Sequence, residues 1–486
     1  MQFDQQAGIA NKRFTTKPLS VMGSTMIVAM AAMVASCGGG NDIDEASKDT
    51  YLLSSFVVMG ADNQAMARVV TTNASCPLLI ADNTATRMQL RAAPATLALR
   101  TTTSAPADSK PSEFPVTTCE LRLPAGATVV TVGSRRLPVA KANPERIVIL
   151  ADTGCRMKKA DNAFQACSDA AAFPLNTVAT SAAALKPDLV MHIGDYHYRE
   201  NACPADVAGC KDSPWGYGWD TWNADLFTPA APLLAAAPWI VVRGNHEECA
   251  RAGQGWFRML DTQSYAAGRT CDLPANDEAA NYSTPYAVQL GTDTQMIVFD
   301  SARTGKTALA TSDPQFAQYQ AQFRIVERLA AKPGTVSMFA NHHPILGYTP
   351  VKGATPLGGN AALLSVMQSL NATAYYPPGI QAAFHGHVHD FQAINFSSSH
   401  PATFVSGNGG DNIDPALPDP FPMSVSPAPG VTLDAVTHST TFGFMLMERT
   451  GTAWSFKAYS KSGLVMATCA FANAKVKCDK TGFLAP

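Results

Sequence analysis

Residues 189–198 read LVMHIGDYHY. Leu189–Ile193 is a short apolar run closed by glycine, the pattern of a buried strand whose backbone then turns sharply. Beyond the glycine stand a carboxylate, an imidazole and two phenols, an unusual mixture for a plain turn. The same pattern recurs outward in both directions. Arg146–Leu150 ends in Ala151-Asp152-Thr153-Gly154, and Trp239–Val242 ends in Arg243-Gly244-Asn245-His246-Glu247. Val336–Phe339 leads to Asn341-His342-His343-Pro344, and Ala382–Phe384 to His385-Gly386-His387-Val388-His389. Met296–Phe299 reads as a further strand. Between the strands lie helical patterns; in the clearest, Phe316, Tyr319, Phe323 and Val326 fall on one helix face. Strands alternating with helices imply an α/β layered domain.

Four of the five tips carry seven of the ten histidines. Taken singly, an aspartate after a strand is usually a turn or helix cap, and a histidine pair is usually surface. Five tips in one order are a different matter. In an open α/β sheet the carboxyl ends of the strands face a common crevice, so these carboxylates, imidazoles and a phenol converge there. Hard oxygen donors mixed with imidazole suit iron, manganese or zinc. His192 lies inside its strand and reads as packed.

The order Asp, GD, GNH[DE], His, GHxH over residues 146–390 resembles the calcineurin-like metallophosphoesterases. Many of them carry D-x-H at the first tip; here Gly154 stands in place of that histidine, while Tyr198 follows Asp195 by three. The combination D-x-G with GDxxY is similar to the purple acid phosphatases, in which a tyrosinate takes the missing place. The Phe404–Gly410 run (FVSGNGG) also looks like the glycine-rich strand end that comes after GHxH in this family. The resemblance implies an αββα sandwich and a binuclear metal centre hydrolysing phosphate monoesters by attack of a metal-bound hydroxide. A phosphodiesterase or phospholipase-type activity on the same metals is the alternative, and a lipoprotein whose metals only stabilise it is a third reading, opposed by the presence of His246. By the same resemblance Asp195 bridges two ions; Asp152, Tyr198 and His389 complete an Fe(III) site; Asn245, His342 and His387 complete a second site for Fe(II), Zn or Mn. His342 is preferred over His343 because the family motif is His-x-Pro. His246 is implied as the group that stabilises or protonates the leaving oxygen. The chain departs from the pattern at Ala151, where family members often carry glycine. It also departs at Ile345–Lys352, where the plant-type enzymes have a further His and Glu. His343, Tyr348, Lys352 and His385 remain candidate outer groups.

The rest of the chain sets the context. With 46% hydrophobic and 15% charged residues, the 486-residue chain is neither disordered as a whole nor a polytopic membrane protein. A formal charge of −2, with no basic stripe, argues against nucleic acid as a partner. Residues 1–36 read as a lipoprotein signal: Lys12, Arg13 and Lys17, then an apolar run from Val21 into Val34-Ala35-Ser36-Cys37. Cys37 is the expected lipidation site, residues 37–50 a tether, and the expected location the periplasm or the cell surface, anchored by lipid. Removing Cys37 from the 11 cysteines leaves an even number, as suits an oxidising compartment. No C-x-x-C pair supports zinc binding. Sequence alone does not fix the pairing; neighbours along the chain suggest 76–119, 155–167, 203–210, 249–271 and 469–478. Residues 51–143 read as a small all-β sandwich, and residues 144–486 as the metallophosphoesterase domain with a closing hairpin. The proline-rich stretch from Pro415 to Pro429 must be irregular loop.

Overall fold

The computed structural model describes residues 49–100 and 106–485. The signal segment and Cys37 lie outside the described residues. Two large sheets face each other, and helices cover both outer faces. The sequence RIVIL at Arg146–Leu150 shows why: Ile147 and Ile149 point into the cluster between the sheets, while Val148 and Leu150 point into the helical layer. A strand buried on both faces has no polar alternation to show. Each such side chain contributes about 1.5–3 kcal/mol on burial. Arg146–Leu150, Leu189–Ile193 and Trp239–Val242 pair in parallel, in that order. Their carboxyl ends, and so their polar tips, therefore align along one edge. Gly443–Thr450 closes the other flank antiparallel and turns into Ala453–Ser460, the expected hairpin.

The second sheet runs Tyr286–Gln289, Thr294–Val298, Val336–Ala340, Ile380–His385 and Ala402–Ser406, then three further strands. Its outer face is covered by Pro314–Ala330 and Ala361–Asn371. The first of these helices starts where Asp313 caps the Gln315 amide at 2.8 Å and Pro314 occupies the first turn. Its buried residues include Phe316, Tyr319, Phe323 and Val326, the face read from the sequence.

The all-β region at residues 52–137 precedes the phosphoesterase domain as a sandwich with its own core, which includes Val57, Val69, Leu79 and Val130. One of its sheets runs on into the first large sheet, through the parallel pairing of Leu52–Met59 with Trp239–Val242 at Val58↔Trp239. Two arginines reinforce the junction. Arg68 donates to the Met259 and Asp261 carbonyls at 2.8 and 2.7 Å, and Arg91 to Phe257 O at 2.6 Å. Both thus satisfy carbonyls at the C-terminal end of helix Gly253–Met259, which comes after the third polar tip. The ten described cysteines are bonded 76–119, 155–167, 203–210, 249–271 and 469–478. Among the described residues no helix is long and apolar enough to cross a membrane.

Candidate metal centre

Three of the five polar tips are bent into place by unusual backbone. Asp152, Asp195 and His387 adopt φ values of 56°, 56° and 68°, a left-handed conformation that costs L-residues roughly 1–2 kcal/mol. Three non-glycine residues so placed, two at the edge of the first sheet and one at the edge of the second, mark stored strain, which gathers at functional sites. Glycine makes room for them: a side chain at Gly244 would collide with the Asp195 carboxylate and its amide. Glu247 binds the second tip to the third. Its carboxylate accepts the backbone N–H groups of Asp195, Tyr196, His197 and Gly244 at 2.9–3.2 Å.

The functional atoms converge in two overlapping groups. In the first, the Tyr198 hydroxyl lies 2.8 Å from Asp152 Oδ1, 2.9 Å from Asp195 Oδ2 and 3.0 Å from His389 Nε2. In the second, Asn245 Oδ1 lies 3.1 Å from His342 Nε2 and 3.0 Å from His387 Nδ1, and His342 Nε2 lies 3.1 Å from Asp195 Oδ2. Asp195 Oδ2 thus belongs to both. Asp195, His342 and His387 offer ligand atoms within 4.8 Å of one another. Donors about 3 Å apart are the spacing of adjacent ligands around an octahedral ion with bonds of about 2.1 Å.

The imidazoles are oriented as ligands. His342 Nδ1 faces the Ile193 carbonyl at 2.8 Å and His389 Nδ1 the Asn412 carbonyl at 2.7 Å. Donating Nδ1–H there leaves each Nε2 lone pair turned to the centre, the usual outer arrangement of metal-bound histidine. The electrostatics also call for cations. Asp152, Asp195 and Tyr198 are buried together. Burial first, and then Asp152 and Asp195, push the Tyr198 phenol well above its ordinary 10.0. Ionising it therefore needs positive charge at that spot. Burial lowers His342 and His389, but Asp195 in the one case, and Asp411 with Asp152 in the other, outweigh it and raise them to about 9 and about 10. Without an ion, protons supply the positive charge the carboxylates require. These residues fit a pair of cations.

The other sequence candidates fall outside this inner set. Gly154 has no room for a side chain: a Cβ there would lie 2.9 Å from Asp225 Oδ2, Tyr196 O and Tyr198 N. His343 bonds Ser301 Oγ at 3.0 Å, His385 faces the Asn341 carbonyl at 3.2 Å, and Tyr348 donates to Val425 O at 2.7 Å. Lys352 is exposed. His192 is packed, stacked on Tyr196 at 3.8 Å.

His246 stands over the first group, its ring 3.9 Å from that of Tyr198 and its Nε2 3.8 Å from Asp195 Oδ2. Two of its neighbours carry no mark in the sequence. Glu200 Oε1 lies 2.9 Å from His246 Nδ1, and Arg251 pairs with Glu200 while its Nη2 lies within 2.7 Å of both ring nitrogens. Burial and then Arg251 push His246 down to about 3, against the pull of Asp195 and Glu200. Glu200 sits two residues beyond Tyr198 and Arg251 five beyond His246; nothing in their spacing separates them from ordinary surface charges. Arg156 is likewise unremarkable in sequence, yet it packs 4.9 Å from the Tyr198 ring and pairs with Asp411 at 2.5 Å.

A family model for calcineurin-like phosphoesterases matches residues 145–391, just over half of the chain. The chain belongs to that family, and by class is a hydrolase of phosphate esters. No curated protein matches it in sequence. Among solved structures, the purple acid phosphatase PPD1 from yellow lupin (Lupinus luteus) seeds is similar with a TM-score of 0.50 at 15% identity, over 85% of this chain and 73% of that one. PhoD is similar with a TM-score of 0.54 at 11% identity, over 89% of this chain and 93% of that one. At these identities the likeness is one of fold.

Proposed function

We propose that the chain is a binuclear phosphomonoesterase of the purple acid phosphatase type. The observation that carries this reading is the Tyr198 hydroxyl, within 3.0 Å of Asp152, Asp195 and His389. Asp152, Tyr198, His389 and Asp195 would hold Fe(III), since a hard phenolate suits a trivalent ion. Asn245, His342, His387 and Asp195 would hold Fe(II), Zn or Mn. When bound, the two cations supply Lewis acidity toward the phosphoryl group and acidify water. The remaining work belongs to side chains. His246 orients the ester and, once the anionic phosphoryl group offsets burial and Arg251 and raises the imidazole from about 3, gives a proton to the departing oxygen from Nε2; Glu200 accepts from its Nδ1 and so fixes which nitrogen faces the substrate. Glu247 keeps the two tips in register by its four amide contacts. The diester alternative keeps one point in its favour, a roomy cleft beside His387; paired mono- and diesters of one alcohol decide between them.

The test is spectroscopic. A tyrosinate on Fe(III) gives a visible charge-transfer band, so iron-loaded protein should be pink to violet. Tyr198→Phe should bleach it and lower iron content. A colourless or pale yellow iron protein whose spectrum Tyr198→Phe leaves unchanged would remove the chain from this branch. We further propose export and lipid anchoring through Cys37. Cys37→Ala should move the enzyme from the membrane to the soluble fraction with turnover per molecule unchanged, read by fractionation and phosphate release.

A further inference from the structure

The two segments with no counterpart in the motif pattern, 345–352 and the proline-rich 415–429, meet beside the metal centre. They enclose a cleft of about 710 Å³ that opens from His343 and His387. Its walls are Pro344, Leu357, Pro427 and Pro429, and Lys306 stands at its rim. The walls are preformed. The Gly359 amide donates to Pro427 O at 3.1 Å and the Asn360 amide to Pro344 O at 2.8 Å. Tyr348, fully buried, donates to Val425 O at 2.7 Å and packs on Phe421 at 4.8 Å, locking the proline-rich loop. Asn360 also donates to Gly305 O at 2.9 Å, which fixes the turn that presents Lys306.

The lining has a definite chemistry. Lys306 is its one charged side chain apart from the histidines, and no carboxylate faces it. Lys306 is exposed, and among the described residues it makes no hydrogen bond or ion pair. No Phe, Tyr or Trp lines the cleft, and its only flat rings are the imidazoles of His343 and His387 at the end next to the metal centre. Leu357, 61% exposed, leaves apolar surface at the mouth. A volume of this order accommodates an organic group well beyond a phosphate.

Resting on the phosphoesterase reading above, we infer that this cleft binds the alcohol portion of the ester and selects aliphatic alcohols that are neutral or anionic over cationic ones. Pro344, Leu357 and the Pro427–Pro429 wall take the methylenes; Lys306 attracts an anionic terminus and repels an ammonium.

The test is a matched set of monoesters: methyl, hexyl, 6-carboxyhexyl and 6-aminohexyl phosphate, assayed by phosphate release at low salt with the metal-loaded full chain. Burial of methylenes should raise kcat/KM up to about fourfold per group, so hexyl phosphate should exceed methyl phosphate by about tenfold or more. The carboxyhexyl ester should exceed the aminohexyl ester by about fivefold, a gap that salt narrows. Lys306→Glu should reverse that last order, and Leu357→Asp should lower hexyl phosphate selectively. Each variant's kcat/KM values are read as ratios to its own methyl phosphate value, and circular dichroism reports that both fold. Equal kcat/KM across the set, with methyl phosphate still hydrolysed, would overturn the cleft assignment and leave the phosphoesterase reading standing. A carboxyl preference that survives Lys306→Glu would overturn the role of Lys306. Failure to hydrolyse any ester, methyl phosphate included, would bring down the phosphoesterase reading and this inference with it.

Discussion

Asp195→Ala is expected to reduce phosphate release to background and to strip both cations from the protein. One oxygen, Oδ2, lies 2.9 Å from the Tyr198 hydroxyl and 3.1 Å from His342 Nε2, and so faces both donor groups. The other, Oδ1, accepts the His246 amide at 2.8 Å and fixes the carboxylate plane. If Asp195 bridges two ions as proposed, removing its carboxylate takes a ligand and a negative charge from both at once. Asp152 could not replace it, being already held by the Tyr198 hydroxyl and the His387 amide. Asn245→Ala provides the contrast. Among the described residues its carboxamide meets only His342 and His387, so that variant should keep the iron and lose mainly the second metal. Elemental analysis of the two variants, beside turnover, checks both. Full metal content and turnover in Asp195→Ala would show that the bridging role is wrongly assigned.

The centre is legible in the sequence because its parts are local. A strand and its ligand lie within ten residues at each tip, and the carboxyl ends of strands in the two facing sheets bring the tips together. The same holds for the disulfides, whose partners are chain neighbours. The illegible parts are carried by contacts without a local signature. In the all-β region residues 56–59 read as a short strand, but FVVM does not say that Val58 pairs with Trp239 across 181 residues. Arg68 and Arg91 look like ordinary strand arginines until helix Gly253–Met259 ends against them. The proline-rich stretch is legible as irregular, since proline cannot continue a ladder. That it forms a rigid wall depends on Tyr348, which lies 77 residues from the carbonyl it bonds. Sequence places Tyr348 among candidate polar groups around the substrate; its hydroxyl instead holds a loop.

His246 should produce the second largest loss, and one that leaves the metals in place. His246→Ala is expected to lower kcat by about 100- to 10,000-fold, the range of a positioned proton donor. Its backbone amide, which holds Asp195 Oδ1, survives the substitution, and its ring shares no coordination position with either donor group. The size of the loss should depend on the ester. A leaving group that is already a weak base needs little help, so an aryl phosphate should lose less than an alkyl phosphate. Glu200→Gln should mimic the pattern more weakly, by about tenfold, because it removes the charge that orients Nδ1 and keeps the hydrogen-bonding shape. Arg251→Lys tests the opposite influence: its guanidinium crowds both ring nitrogens, binds Glu200 and donates to the Asn245 carbonyl at 3.2 Å, so a shorter reach should loosen the His246–Glu200 pair while every ligand side chain is kept. Equal losses for aryl and alkyl esters in His246→Ala would remove the proton-donor role and leave His246 a positioning residue. If Glu200→Gln then also showed no leaving-group dependence, the pair would serve to hold the ester and the departing oxygen would take its proton from solvent.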